Sequence, residues 1–362
     1  MISGKLVCLL PSFKSNLGHE ISFVDTLNLL AKQNNLNIYF IVSTVSKITN
    51  LDNLKKIIFT ESYSISSELC NFYLNIRSLI NFFKIHNIKK KDSFYIDGYS
   101  FYFLFSFLIS CLISKKNFNI FIYCRYNYNF KKKFLFKIFI YLFKFQKVSL
   151  HILTDNHPLY LILKEDFKVK TLLMPIPHTF QLKRFEINKF NNNKNINLLC
   201  PGQYREEKFD TNFNNFLYKN NSKFINIVIN KDFKKKSDLN INFKKFGSNL
   251  NMHEYKKLIV AADLILLPYE KTLYEFRTSG IFFEAITLQK RVMVTSGTWM
   301  ADEFIKHDLK DLVVKDWANF DIFKNMRNIF SLNVSKNLSR MRMQYFKKHN
   351  KNNFIKILNK YI

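Results

Sequence analysis

The stretch Pro201-Gly202-Gln203-Tyr204-Arg205-Glu206-Glu207-Lys208 sets one of the chain's seven glycines ahead of two cations spaced three residues apart. It follows the apolar run INLLC, so it reads as the turn after a strand. Glycine lets the backbone approach a ligand, arginine binds two oxygens of one anion, and a helix start favours negative charge. The chemistry that fits is the gripping of a diphosphate. The competing reading is an ordinary strand-to-helix turn, with Arg205 and Lys208 paired to Glu206 and Glu207.

A second constellation lies in YEFRTSGIFFEAI, Tyr274 to Ile286. Arg277, Ser279 and Gly280 fall in a turn and at a helix start, where the N–H groups of Ser279, Gly280 and Ile281 would point at an anion. Glu284 follows one helical turn later, on an apolar flank. A carboxylate there suits the vicinal hydroxyls of a ribose, and a capping or salt-bridge role is the alternative.

Other residues carry weaker signals. Gly18 and His19 follow the first apolar run, and His157 follows SLHILT, both places where α/β proteins bind ligands. Asp97, Gly98 and Arg125 end strand-like runs and read as structural or solvated groups. No His/Cys/Asp cluster has metal-ligand spacing, so no metal is expected, and no nucleophile elbow or phosphate-binding P-loop is present.

These residues need elements to position them. In the first half, KLVCLLP, LNIYFIVS, KKIIFT, SFYIDGY, FNIFIYCR and SLHILTD are apolar runs of strand length. Segments of helical spacing separate them, as in Glu20 to Lys32 and Glu68 to Ile85. Such alternation predicts a parallel sheet covered by helices on both faces. After TLLMPIPHTF comes a polar stretch poor in core residues, read as a linker. The second half restarts the pattern: strands INLLC, KFINIVI, DLILLPY, RVMVTSG and DLVVK alternate with helices, including one over EKFDTNFNNFLYK. The expected domains are 1–178, a linker at 179–195, 196–335, and C-terminal helices at 336–362 that return to the first domain.

Composition bounds the function. The net charge is +29, but lysine outnumbers arginine 47 to 9, which fits A/T-biased coding and a diffuse basic surface. A basic nucleic-acid-binding protein remains a rival, although the arginines best suited to phosphate sit in the two constellations. The five cysteines have no CxxC spacing, and Cys8, Cys124 and Cys200 sit in apolar strand-like runs, which fits buried free thiols in a reducing compartment. The run Phe101 to Ile113 is too short to span a bilayer. The lysine- and aromatic-rich segment Phe130 to Lys147 reads either as a buried helix or as an interfacial one on anionic lipid. The expected location is cytoplasmic, with room for a peripheral position on the inner face of a membrane.

Over residues 198–305, the succession PGQYREEKF, HEYKKLIVAADLILLPY and YEFRTSGIFFEAITLQKRVMVTSGTW resembles the C-terminal domain of GT-B glycosyltransferases of the retaining family 4 type. The resemblance implies two doubly wound Rossmann-like domains facing each other across a cleft. It implies a hexosyltransferase-like, retaining, metal-independent enzyme for surface polysaccharide or glycoconjugate synthesis. The donor is a nucleotide-sugar, bound as substrate without a further cofactor, and the acceptor a glycan or lipid-linked hydroxyl. By residue, Arg205 and Lys208 bind the leaving diphosphate. Glu284 holds the ribose, Ser279 and Gly280 contact phosphate through the backbone, and Gly18 and His19 lie near the acceptor. Gly202 and Arg277 join the expected donor set, and His157 the expected acceptor or cleft set, from their places after strand-like runs. The chain departs from the pattern twice. Phe276 stands where the family has an acid eight residues before the ribose glutamate, and Gln289 stands where it has glycine. A non-catalytic binding module of this fold and a sugar-nucleotide epimerase remain the alternatives.

Overall fold

The computed structural model describes residues 4–13, 20–49, 51–59, 65–90, 92–114, 118–125, 130–145, 148–177, 195–202, 205–233, 242–247 and 250–362. The chain divides into two compact units, one of Met1–Pro177 with Lys351–Ile362 and one of His178–Asn350.

In the first unit, β1 (Lys5–Leu10) leads to α1 (Glu20–Gln33), β2 (Asn37–Ser43), β3 (Leu54–Ile58) and α2 (Ile65–Ile85). Then come β4 (Ser93–Ile96), α3 (Phe101–Ile113), β5 (Asn119–Tyr123) and α4 (Phe130–Phe145). β6 (Ser149–Thr154), α5 (His157–Phe167) and β7 (Lys170–Leu173) close this part of the unit. The strands form a seven-stranded sheet in the order β3-β2-β1-β4-β5-β6-β7, parallel throughout. β7 runs into the segment TLLMPIPHTF, which carries two prolines. The strand ends before both of them, so neither removes a ladder hydrogen bond.

Alternation along β4 shows how both faces are used. Tyr95 joins the core made with α1, and Phe94 packs on Phe83 of α2 and Phe107 of α3. Helix α3 is largely buried, as its uniformly apolar sequence demands.

In the second unit, β8 (Ile196–Cys200) is followed by α6 (Phe213–Lys219), β9 (Ile225–Asn230), β10 (Asn242–Phe246) and α7 (Met252–Ala261). β11 (Leu264–Leu267), α8 (Lys271–Tyr274), α9 (Gly280–Thr287), β12 (Arg291–Thr295) and α10 (Trp299–Lys306) come next. β13 (Val313–Val314), α11 (Ile322–Ile329) and α12 (Leu332–Lys348) complete it. The six-stranded parallel sheet has the order β10-β9-β8-β11-β12-β13.

The last helix, α13 (Lys351–Leu358), belongs to the first unit. Its Phe354, Ile355 and Leu358 are buried in the core with Phe23 and Leu27 of α1. Helix α12 stays with the second unit, so only the last dozen residues return.

One element departs from the sequence reading. EKFDTNFNNFLYK is not one helix: Glu206–Lys208 form a single 3-10 turn, and α6 begins only at Phe213. Asp210 interrupts the helix by sending its N–H to Pro268 O at 2.7 Å and accepting the Asn212 N–H on its own carboxylate.

Candidate functional site

The strand order of the second unit reverses between β8 and β11. At such a switch point the loops beyond the strand ends diverge and leave room for a ligand. Both constellations open there, and the backbone ties them together. Phe209 and Tyr269 form an antiparallel bridge, and the Glu270 N–H donates to Lys208 O at 2.7 Å.

Gly202 rests against the first turn of α9. Its φ is +94°, and a Cβ there would stand 2.8 Å from Ile281 Cδ1. Left-handed backbone and close approach together select glycine.

Lys208 feels the charges of both Arg205 and Arg277. Burial, followed by the fields of Arg205 and Arg277, lowers Lys208 from 10.5 to about 8, against a lesser opposing pull from Glu207. Among the described residues neither Arg205 nor Lys208 forms an ion pair, so the pairing with Glu206 and Glu207 does not occur. The anion-favouring end of a long helix is also missing behind Arg205, because only one 3-10 turn follows it. Side-chain cations and α9 therefore carry the positive potential.

Arg277 lies over the Tyr274 ring at 5.3 Å, and Tyr274 stacks on Tyr269 with centroids 4.3 Å apart. The Ser279 side chain lies beside the Tyr269 hydroxyl. Ser279 caps α9, its Oγ accepting the Phe282 N–H at 3.3 Å. The N–H groups of Gly280 and Ile281 lie in the first turn and have no acceptor within the helix.

Glu284 sits one turn further along α9 and is 8 % exposed. The Tyr255 hydroxyl of α7 donates to its Oε2 at 2.7 Å. Burial raises the Glu284 carboxyl from 4.5 to about 7, while the Tyr255 hydrogen bond pulls it back down. Tyr255 is not among the candidate residues read from the sequence. The signal was present: Asn251 and Glu254 form a capping box that fixes where α7 starts and hence which way Tyr255 points.

The first unit has its own switch point between β1 and β4. Here Arg125 forms a two-pronged pair with Asp97, at 3.1 and 2.7 Å, and approaches Asp155 at 3.5 Å. Its guanidinium lies over the rings of Phe23 and Tyr123. Gly98, with φ +65°, packs so closely on Ser12 that a Cβ would fall 1.8 Å from its Oγ. Arg125 and the two carboxylates thus hold one another. His157 opens α5 with an exposed side chain, its ring 6.1 Å from that of Tyr160. Gly18 and His19 lie outside the described residues.

No family model matches the chain, and no curated protein matches it. Solved structures do, over nearly its whole length. Anabaena HepE in complex with UDP-glucose aligns with a TM-score of 0.65 at 10 % identity, covering 98 % of each chain. An E. coli trehalose-6-phosphate protein bound with UDP-2-fluoro glucose aligns at 0.64 and 9 % identity, covering 99 % of this chain and 98 % of that one. A putative UDP-N-acetylglucosamine 2-epimerase from Listeria monocytogenes aligns at 0.60 and 10 % identity, over 98 % and 94 %.

The fold is GT-B. Two Rossmann-like sheets with alternating helices define it, and both sheets of this chain qualify. With about one residue in ten shared, the fold is what these proteins have in common. It occurs in glycosyltransferases and in the epimerase alike.

Proposed function

We propose that the protein is a glycosyltransferase that takes a nucleoside-diphosphate sugar in its second unit and moves the sugar to a hydroxyl of a glycan or lipid-linked acceptor. The observation that carries this reading is the convergence of Arg205, Lys208 and Arg277 beside the first turn of α9, with Glu284 one turn beyond. Three cations whose charges meet at Lys208 suit a diphosphate, and a buried carboxylate one helical turn along α9 suits a ribose. UDP-sugars bound to HepE and to the E. coli protein support a nucleotide-sugar donor.

In the reaction, the acceptor hydroxyl attacks the anomeric carbon as the carbon–oxygen bond to the diphosphate breaks. The bonding electrons leave on the diphosphate, and the hydroxyl proton passes to the departing phosphate or to solvent. Arg205, Lys208, Arg277 and the N–H groups of Gly280 and Ile281 stabilise the growing negative charge, a mainly electrostatic catalysis. Retention of configuration, acceptor recognition by the first unit and a role in surface glycan synthesis follow from the family resemblance.

Calorimetric titration with UDP, GDP and their sugar conjugates tests the donor site. Arg205→Ala and Glu284→Ala should each weaken binding by about tenfold to a hundredfold, the worth of one charge-assisted hydrogen bond. Undiminished affinity in both variants would remove the site from this position. The Listeria structure favours a second reading, an epimerase, which would convert the bound sugar with no acceptor and no release of nucleotide. Chromatography of the nucleotide products, with and without added glycan, separates the two.

A further inference from the structure

Helix α4 buries Phe136, Phe139, Ile140 and Phe143 in the first unit. The opposite side of such a helix is normally polar. Here Phe134 is 58 % exposed, Ile138 37 % and Tyr141 71 %. Their spacing, four residues and then three, aligns them in one stripe facing away from the core. Lys137 and Lys144 are exposed on one flank of the stripe, and Lys132 is exposed near the helix start. The helix contains no acidic residue.

We propose that this outer face of α4 docks on an anionic lipid surface, with Phe134 and Tyr141 entering the headgroup layer and Lys137 and Lys144 meeting lipid phosphates. The helix would lie in the plane of the interface, aromatic side down. Charge selects this occupant. A second copy would bring the same lysines together on chains that each carry +29. A nucleic-acid strand is best gripped by arginines beside stacking rings, and α4 has no arginine. Lysine, a compact ammonium on a flexible stem, suits a fluid array of phosphates.

The test is flotation of the full-length protein with phosphatidylcholine vesicles, either pure or with about 30 % phosphatidylglycerol, a fraction that gives a strong negative surface potential. Binding is expected only to the anionic vesicles. Phe134→Ser with Tyr141→Ser should reduce it by about tenfold or more through lost apolar burial. Lys137→Gln with Lys144→Gln should reduce it by a similar factor, at about 1 kcal/mol per lysine near the surface. Lys310→Gln with Lys315→Gln, exposed in the second unit, should leave it unchanged. Backbone amides of α4 should exchange more slowly when vesicles are added.

Four results would overturn the proposal. One is no binding to anionic vesicles. Another is binding that ignores the aromatic pair and falls equally with either lysine pair, which is diffuse attraction alone. A third is a dimer in sedimentation that the aromatic variant abolishes. The last is RNA affinity that the same variant abolishes.

Discussion

Glu284 is held at odds with its surroundings. Its carboxyl is raised from 4.5 to about 7 by burial. Folding therefore favours the protonated form. That contribution is complete below about pH 4.5 and is lost as pH rises through 7. By pH 8 the ionised group costs roughly 3 kcal/mol relative to a neutral one. Glu284→Gln, which still accepts from Tyr255, should thus be more stable than the natural protein at pH 8, by up to that amount, and equal to it near pH 4; urea unfolding at both values would show it. Gain of stability on loss of a charge marks a residue kept for its ionised form. If Glu284 takes donor hydroxyls as a carboxylate, nucleotide binding releases protons near neutral pH. Lys208, depressed to about 8, takes one up when a diphosphate arrives above that value. Calorimetry in buffers of different ionisation enthalpy should show net release at about pH 6.5 and net uptake at about pH 8.5. The position of Arg205, Lys208, Arg277 and Glu284 in the segments that follow β8 and β11 was legible from the strand-like runs before them. What stayed hidden was the environment. Spacing along the chain does not reveal that, among the described residues, Glu206 and Glu207 form no ion pair with Arg205 or Lys208, or that Tyr255 crosses from another helix to reach Glu284.

At the scale of elements, two turns carry opposite solutions to one steric problem. Helix α9 ends at Gln289 with φ +55°, in the left-handed region where glycine is usual. The Lys290 N–H returns to Ala285 O and the Gln289 N–H to Ile286 O, both at 2.9 Å. Arg342 of α12 secures this strained end by donating to Thr287 O at 2.8 Å and reaching the Gln289 side chain. Gln289→Gly should stabilise the protein by about 1 kcal/mol, the left-handed penalty less the lost contact, in a denaturant melt. Gly202 is the converse case. Gly202→Ala should destabilise by about 1–3 kcal/mol, from φ and from collision with Ile281. Adding Ile281→Val removes the colliding methyl and should restore part of that loss, while the cost of φ remains. Most strands and most helices of both units were readable because buried parallel strands are continuous apolar runs. The break before α6 was not readable: Asp210 takes its partner from Pro268, nearly sixty residues away.

At the scale of the molecule, the first unit is built from both ends of the chain. Removing residues 351–362 takes Phe354, Ile355 and Leu358 out of its core, at about 1.5–3 kcal/mol for each buried side chain. Hydrogen exchange should then show lost protection in β1, α1 and β2, with β8, β11 and β12 unaffected. Loss spread evenly through both units would contradict the division. Such a return was expected from the sequence in outline, as C-terminal helices packing back. Its extent was not, since α12, expected to return, stays with the second unit. The arrangement also sets an order of events during synthesis. The second unit has its whole sequence before α13 is made, whereas the first waits with a gap in its core while residues 178–350 are translated. At about 5–20 residues per second that wait is on the order of ten to thirty seconds. For that time the nascent chain leaves an apolar seat on α1 uncovered, open to solvent until α13 is made.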